Sequence, residues 1–235
     1  MLVVVLDTST PAVTAALVRI GTGVASGAAS GGGSLVESLA ERRTVNARAH
    51  GERLGPAVTE VLGEVGVRPR DLAAIVAGLG PGPFTGLRVG LVTAASIAQT
   101  LGIPAYGVCS LDGLGASTSG DTLVATDARR HEVYWAVYHD GDRVAGPAVN
   151  RPADLPAVLA GDGLGVSLAV GDGALRYAGA LPWPVREEPR YPAPATLAGL
   201  AADRVLARAP GDPLTPLYLR RPDVAEPAER KRVSR

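Results

Sequence analysis

Three groups of residues have the types and spacing to do chemistry. The first is GLGPGPFTGLRVG at 78–90, which follows the apolar run LAAIVA (72–77) and opens a helical pattern. Backbone N–H groups left over at such a helix start can hold an anion. Gly80, Gly82 and Gly86 permit a tight backbone, and Thr85 can cap the helix or bond a phosphate oxygen. The stretch lacks the Gly-Lys-Ser/Thr of a P-loop, and Pro83 and Gly86 break the GxGxxG spacing of a dinucleotide site. Two readings stay open: a phosphate cradle, or a turn that re-aims the chain between strand and helix.

The second group is acidic. Asp7, Asp127 and Asp172 each close a strand-like run, and they could converge in a cleft to hold a hydrated magnesium ion. Equally, each could bond the backbone of its own turn. Gly171 and Gly173 flank Asp172, so with Asp7 and the 80–86 loop they sketch a nucleotide site of the phosphotransferase kind. The third group is His50, His131 and His139, which form no HExxH, HxxxH or Cys/His pattern, so no transition-metal motif is present. His131 and His139 flank a hairpin and are expected in solvent; His50 opens a helix and is expected at the surface, as a cap or a partner contact. No GxSxG elbow accompanies these histidines, which counts against a serine hydrolase.

Single residues narrow the chemistry further. Cys109 is the only cysteine, so no intramolecular disulfide can form, and it reads as a small buried hydrophobe. Lys231 is the only lysine among 23 basic residues, which removes Schiff-base chemistry from the folded part of the chain.

The elements that must position these residues follow from the hydrophobic pattern. Of the 235 residues 46% are hydrophobic, and 23 basic residues balance 23 acidic ones. The chain can therefore bury a large core and carries no overall field toward nucleic acid or membrane. MLVVVLDTST reads as a strand rather than a signal peptide, and no run approaches the ~20 apolar residues of a membrane span, so a cytoplasmic protein is expected. Strands are expected at 2–6, 13–20, 72–77, 105–109, 122–126, 133–138 and 167–170. Helices are expected at 50–65, ended by Gly66, at 84–101, ended by Gly102 and Pro104, and at 195–209. The Gly-rich stretch 21–33 reads as a loose hairpin or loop. Asp7 and Asp127 hold equivalent places in two strand–Asp–turn–strand units, which predicts two related lobes.

LDTST (6–10), IVAGLGPGPFTGLRVGLVTAASIAQTLGIPAYGVCSLDGL (75–114), DARRHEVYWAVY (127–138), VGDGA (170–174) and PLYLRRP (216–222) together resemble the TsaB family. That resemblance implies an α/β fold of two duplicated lobes with mixed sheets, of the actin, Hsp70 and sugar-kinase (ribonuclease H-like) type. Residues 1–108 would form the first lobe, 109–221 a smaller second lobe, and 222–235 a disordered tail. It implies a non-catalytic scaffold, without cofactor, that binds TsaD, the enzyme that transfers threonylcarbamoyl to the adenosine next to the tRNA anticodon. TsaE would dock on that pair, tRNA would be met only indirectly, no membrane would be involved, and the free chain could form a homodimer.

In TsaD two metal-binding histidines stand four residues apart; the matching positions here are Ser110 and Leu114, which supply no metal site. By position the docking helices are 50–65 and 84–101, with Leu54, Val58, Val61, Arg88, Val89 and Val92 as expected contacts. Asp7, Gly80, Gly82, Thr85, Gly86, Gly171, Asp172 and Gly173 would be the relic of a nucleotide site. Pro83 stands where relatives often carry serine, which removes a hydroxyl and an N–H from that relic. Two other activities compete with the scaffold reading: a peptidase of the glycoprotease-like family, and a nucleotide-binding phosphotransferase of the actin-like superfamily.

Overall fold

The computed structural model describes residues 1–23, 34–47 and 49–220. Most of the Gly-rich stretch, from residue 24 to 33, and the charged tail 222–235 lie outside the described residues. Two mixed sheets organise the chain. In the first, β1 (Leu2–Asp7) is flanked by the antiparallel β2 (Ala12–Thr22) and the parallel β4 (Ala74–Gly78); β3 (Ser34–Val45) and β5 (Ala105–Val108) close the two edges.

The second sheet repeats the plan. There β6 (Asp121–Arg129) pairs antiparallel with β7 (Glu132–His139) and parallel with β9 (Leu168–Val170), and β8 (Asp142–Asn150) forms the outer edge. The order β3-β2-β1-β4 thus recurs as β8-β7-β6-β9. Asp7 ends β1, and Asp127 lies near the end of β6. The duplication read from these two aspartates is a property of the fold.

Strand composition explains the layering. Successive side chains on a strand point to opposite faces, so an unbroken apolar run needs cover on both. Val4 and Leu6 enter one core beneath α1 (His50–Val65) and α2 (Phe84–Leu101). Val3 and Val5 enter another beneath α6 (Pro194–Leu206). Both long N-terminal helices end as their sequences require, because Gly66 and Gly102 take left-handed conformations at the C-caps.

The second sheet is covered on one face by α4 (Leu155–Gly161) and α5 (Asp172–Arg176) and on the other by α3 (Asp112–Gly115). Gly113 lets α3 and α6 approach: a β-carbon there would lie 2.7 Å from Leu197 Cδ2. After β5 the chain passes to the second sheet at Cys109 but does not stay there. Residues 194–206 return to the first sheet, because Leu197, Ala198, Ala201, Ala202 and Val205 carry the apolar stripe that covers Val3 and Val5.

Beyond α6 the chain runs back across both lobes. Asp212 N–H bonds the Ala105 carbonyl and Leu217 N–H bonds the Leu79 carbonyl at 2.9 Å. Leu214 packs into the first lobe's core, and Leu217 into the cluster of Leu111, Leu114 and Val124. Arg220 then pairs with Glu132 and donates to the Ala128 carbonyl on the second sheet. This C-terminal strap holds the lobes together. Among the described residues no helix is long and apolar enough to cross a membrane.

Candidate functional site

The cleft between the lobes is built by the ends of β1, β4 and β6 and by the starts of α1 and α2. Asp7 lies at its floor, 2% exposed. Its carboxylate accepts from Ser9 N–H (3.0 Å), Ser9 Oγ (2.8 Å) and Ser110 Oγ (2.6 Å), and Ser110 Oγ in turn accepts from Gly80 N–H at 3.1 Å. Burial pushes the Asp7 pKa up, and the hydroxyls of Ser110 and Ser9 partly hold it down. The aspartate therefore bonds its own turn and the opposite loop.

Of the two residues that the sequence resemblance set against the TsaD histidines, Ser110 is spent on this knot. Leu114 is fully buried with Tyr138, Val124 and Val170.

The glycines of the predicted cradle have a different use. A β-carbon at Gly78 would fall 1.9 Å from Asp7 Oδ2, at Gly82 2.2 Å from the Ser9 carbonyl, at Gly86 2.6 Å from the Thr8 carbonyl. On the second lobe, one at Gly171 would lie 2.3 Å from the Ala125 carbonyl and one at Gly173 2.5 Å from the Thr126 carbon. At Gly78 the close neighbour is the Asp7 carboxylate and at the other four positions it is backbone, so these glycines are needed for the loops to pack against β1 and β6. Thr85 is exposed and makes no cap bond to α2. Residues 78–90 turn the chain from β4 into α2, and Gly82, Thr85 and Gly86 also line a cavity of about 580 Å³ between the lobes.

Asp172 sits at the start of α5, 8% exposed, accepting from Asp127 N–H at 3.4 Å. Burial raises its pKa to about 6. Asp127 bonds Arg129 N–H, Arg176 and the Tyr177 hydroxyl. These are turn aspartates bonding local groups, and no group of three or more His, Cys, Asp or Glu with metal-binding geometry occurs among the described residues.

His131 and His139 are exposed, as expected. His50 is not: it is buried, with Nε2 3.0 Å from the Thr10 carbonyl and its ring beside Gly86. A ring at the first turn of α1 fills the gap that Gly86 leaves, which no local pattern announces. Cys109 is buried, and burial pushes its thiol up to about 11.

The expected docking residues divide. Leu54, Val58 and Val61 point into the chain's own core with Leu6, Val13 and Leu91, so the stripe on α1 covers the first sheet and cannot meet a partner. The three- and four-residue spacing locates a buried face without saying what buries it. On α2, Arg88 is exposed, Val89 is partly buried, and Val92 is 63% exposed. The outward face of α1 is instead made of Glu52, Gly55, Pro56, Thr59 and Gly63. Sequence reasoning also missed Phe84 and Tyr218. Their rings stack at 4.7 Å, with the Arg88 guanidinium 3.8 Å above Phe84 and bonded to the Tyr218 hydroxyl at 3.3 Å. PLYLRRP was the signal, but only the fold brings it onto α2.

Two lobes of one duplicated plan, joined at a cleft whose floor carries close glycine contacts and a serine–aspartate knot, define the chain as a ribonuclease H-like protein. Comparison with known proteins narrows the class. The family model of TsaD, tRNA N6-adenosine threonylcarbamoyltransferase, matches residues 39–209. An uncharacterized protein of Mycobacterium tuberculosis is 50% identical over 94% of this chain and 92% of its own length. The tRNA threonylcarbamoyladenosine biosynthesis protein TsaB of Bacillus subtilis is 39% identical over 43% of this chain and 45% of its own.

Among solved structures, a Pseudomonas aeruginosa protein described as similar to the peptidase YeaZ shares 28% identity with a TM-score of 0.69, covering 93% of this chain and 99% of that one. YeaZ from the same organism shares 26% with a TM-score of 0.63, covering 89% and 99%. The chain belongs to the threonylcarbamoyltransferase family. Within that family it is TsaB-like, and its two mixed sheets are those of the YeaZ structures.

Proposed function

We propose that this chain is the non-catalytic scaffold of tRNA threonylcarbamoylation, acting by binding the TsaD transferase. TsaE then docks on the pair. The reading is supported by the TsaB relatives and carried by one observation: at the two positions that the sequence resemblance matches to the TsaD metal histidines stand a hydrogen-bonded serine and a core leucine. A leucine has no donor atom and a serine hydroxyl already bonded to Asp7 and Gly80 N–H is a poor metal ligand, so this pair does not hold a metal to polarise a carbamoyl-adenylate carbonyl.

The outer faces of α1 and α2 supply the docking surface. Gly55, Thr59 and Gly63 leave α1 flat, and Gly55 and Gly63 have no neighbour within 4 Å of a built β-carbon. Arg88, Val92, Ala95 and Ser96 form the exposed face of α2. Small residues let a partner helix approach closely, and an exposed valine beside an arginine and an aromatic pair has the composition of an interface centre.

Co-expression with TsaD from the same organism, followed by size-exclusion chromatography, tests this. The wild type is expected to co-elute. Val92→Arg is expected to lose the partner while keeping its thermal transition, since the side chain is already in solvent. A Val92→Arg chain that still co-elutes would remove α2 from the interface. Threonylcarbamoylation of tRNA by the purified chain alone would end the scaffold reading.

A further inference from the structure

Helix α2 carries a single charged side chain, Arg88, in 18 residues that are otherwise uncharged. It lies on the outward stripe with Val92, Ala95, Ser96 and Gln99, all exposed and three or four residues apart. A cation near the start of a helix works against the macrodipole, so helix stability gives no reason for a basic residue there.

The side chain is nevertheless held in one place. Its guanidinium carbon stands 3.8 Å from the Phe84 ring centroid, and Nε donates to the Tyr218 hydroxyl at 3.3 Å. Tyr218 in turn stacks on Phe84, with centroids 4.7 Å apart. The strap sets the position of Tyr218, because its neighbour Leu217 is tied to the Leu79 carbonyl and packs into the cluster under the second sheet. An arginine on a helix surface ordinarily samples many rotamers, and ordering it on binding costs affinity. Here the chain's own rings impose that order.

Other arginines on this surface are held by carboxylates, Arg42 by Glu60 and Glu64, Arg143 by Asp112, Arg176 by Asp127. Arg88 is held by a phenol and a ring, and no carboxylate among the described residues pairs with it. With Nε turned to Tyr218, the two terminal amino groups remain. Their end-on fork matches the two oxygens of a carboxylate.

The surroundings select the carrier of that carboxylate. Val92, 63% exposed, and the small Ala95 and Ser96 continue the stripe, and Gly55, Thr59 and Gly63 face outward on α1. One positive charge on a flat, weakly polar surface complements a protein helix that carries an acidic residue among apolar ones.

We propose that Arg88 anchors a carboxylate on the partner's docking helix, held ready for it by Phe84 and by Tyr218 of the strap. The proposal rests on the scaffold reading, which supplies the partner, and adds the chemistry of the contact. Tyr218 is a positioning residue, so the C-terminal strap takes part in docking although it lies off both helices.

Calorimetric titration of TsaD from the same organism with the full chain, repeated at several salt concentrations, tests this. Arg88→Gln is expected to weaken the complex on the order of tenfold and to flatten its salt dependence, without loss of thermal stability. Arg88→Lys should keep the salt dependence and recover only part of the affinity, since an ammonium has no planar fork. Tyr218→Phe keeps the stacked ring and removes the hydroxyl, and should weaken binding roughly threefold with the salt dependence intact. Arg151→Gln, an exposed position on the second lobe, should change neither quantity. Among Asp→Asn and Glu→Gln variants of TsaD, one is expected to be non-additive with Arg88→Gln in a double-mutant cycle.

The proposal is overturned if Arg88→Gln binds as tightly as wild type, if its loss leaves the salt dependence unchanged, or if every TsaD variant is additive with it. Binding of tRNA by the chain alone that Arg88→Gln abolishes would also overturn it, by giving the guanidinium to a phosphate. An unaffected Tyr218→Phe removes the strap's part. Each of these leaves the scaffold reading in place, whereas absence of a complex with the wild-type chain removes both.

Discussion

Asp172 shows what burial does to a single group. It occupies the start of α5 with one long hydrogen bond from Asp127 N–H, and its pKa of about 6 lies above the 3.8 of an exposed aspartate. A folded-state pKa that is raised gives stability fully present below about pH 4, where the carboxyl is neutral in both states, and lost as pH rises through about 6. Asp172→Asn keeps an acceptor for that N–H and removes the charge. Its thermal stability should match wild type near pH 4 and exceed it above pH 6 by about 3 kcal/mol at most. Equal transitions at pH 7.5 would show that the carboxylate is solvated after all.

Ser110 behaves oppositely, since its hydroxyl favours the charged Asp7. Ser110→Ala leaves a buried carboxylate one donor short and the Gly80 N–H without its acceptor. A loss of about 2–3 kcal/mol in denaturant unfolding is expected, smaller at acid pH where Asp7 is neutral.

At the scale of elements, the β6–β7 connection is the place where the chain departs most from comfortable backbone. A register shift between Asp127 and Arg129 delivers three consecutive left-handed residues. Glycine adopts that region without a β-carbon penalty. His131→Gly should therefore raise stability by about 0.5–1 kcal/mol. A fall in the melting temperature would mean that the imidazole makes a stabilising contact that outweighs the strain.

The edge strands tell a related story about legibility. β3 was not expected, because SLVESLAERRTV alternates poorly and faces solvent over most of its length. Its charges form ion pairs instead, Glu37 with Arg19, and Arg42 with Glu60 and Glu64 of α1. β8, with Gly146 and Pro147 inside it, is the matching edge of the other sheet. Charge and proline on an edge deter pairing with other chains and at the same time hide the strand from a pattern search.

At the scale of the molecule, the strap decides how two lobes become one body. Leu214 belongs to the first core and Leu217 to the cluster under the second sheet, while Tyr218 covers Phe84 at the start of α2. Leu217→Ala should cost about 2 kcal/mol. Because its backbone N–H also ties to Leu79, the loss should appear in the unfolding of both lobes, as a downward shift of a single transition. Two separated transitions in the variant alone would show that Leu217 is the main coupling; an unshifted one would show that the strap adds no stability.

The buried strands, the three long helices, two of them with glycine ends, and the twofold plan were fixed by local pattern, because burial on one or two faces imposes a period that survives without knowledge of the partner. The chemistry of Ser110 and Leu114 was equally legible, since side-chain donor atoms are a property of residue type. Only the tertiary structure decided that Leu54, Val58 and Val61 face inward, that His50 is buried against Gly86, that α6 returns to the first sheet and that Gly82 and Gly86 press on the Ser9 and Thr8 carbonyls. Each of those depends on which surface comes to lie opposite, a relation between residues tens of positions apart that no single stretch of sequence contains.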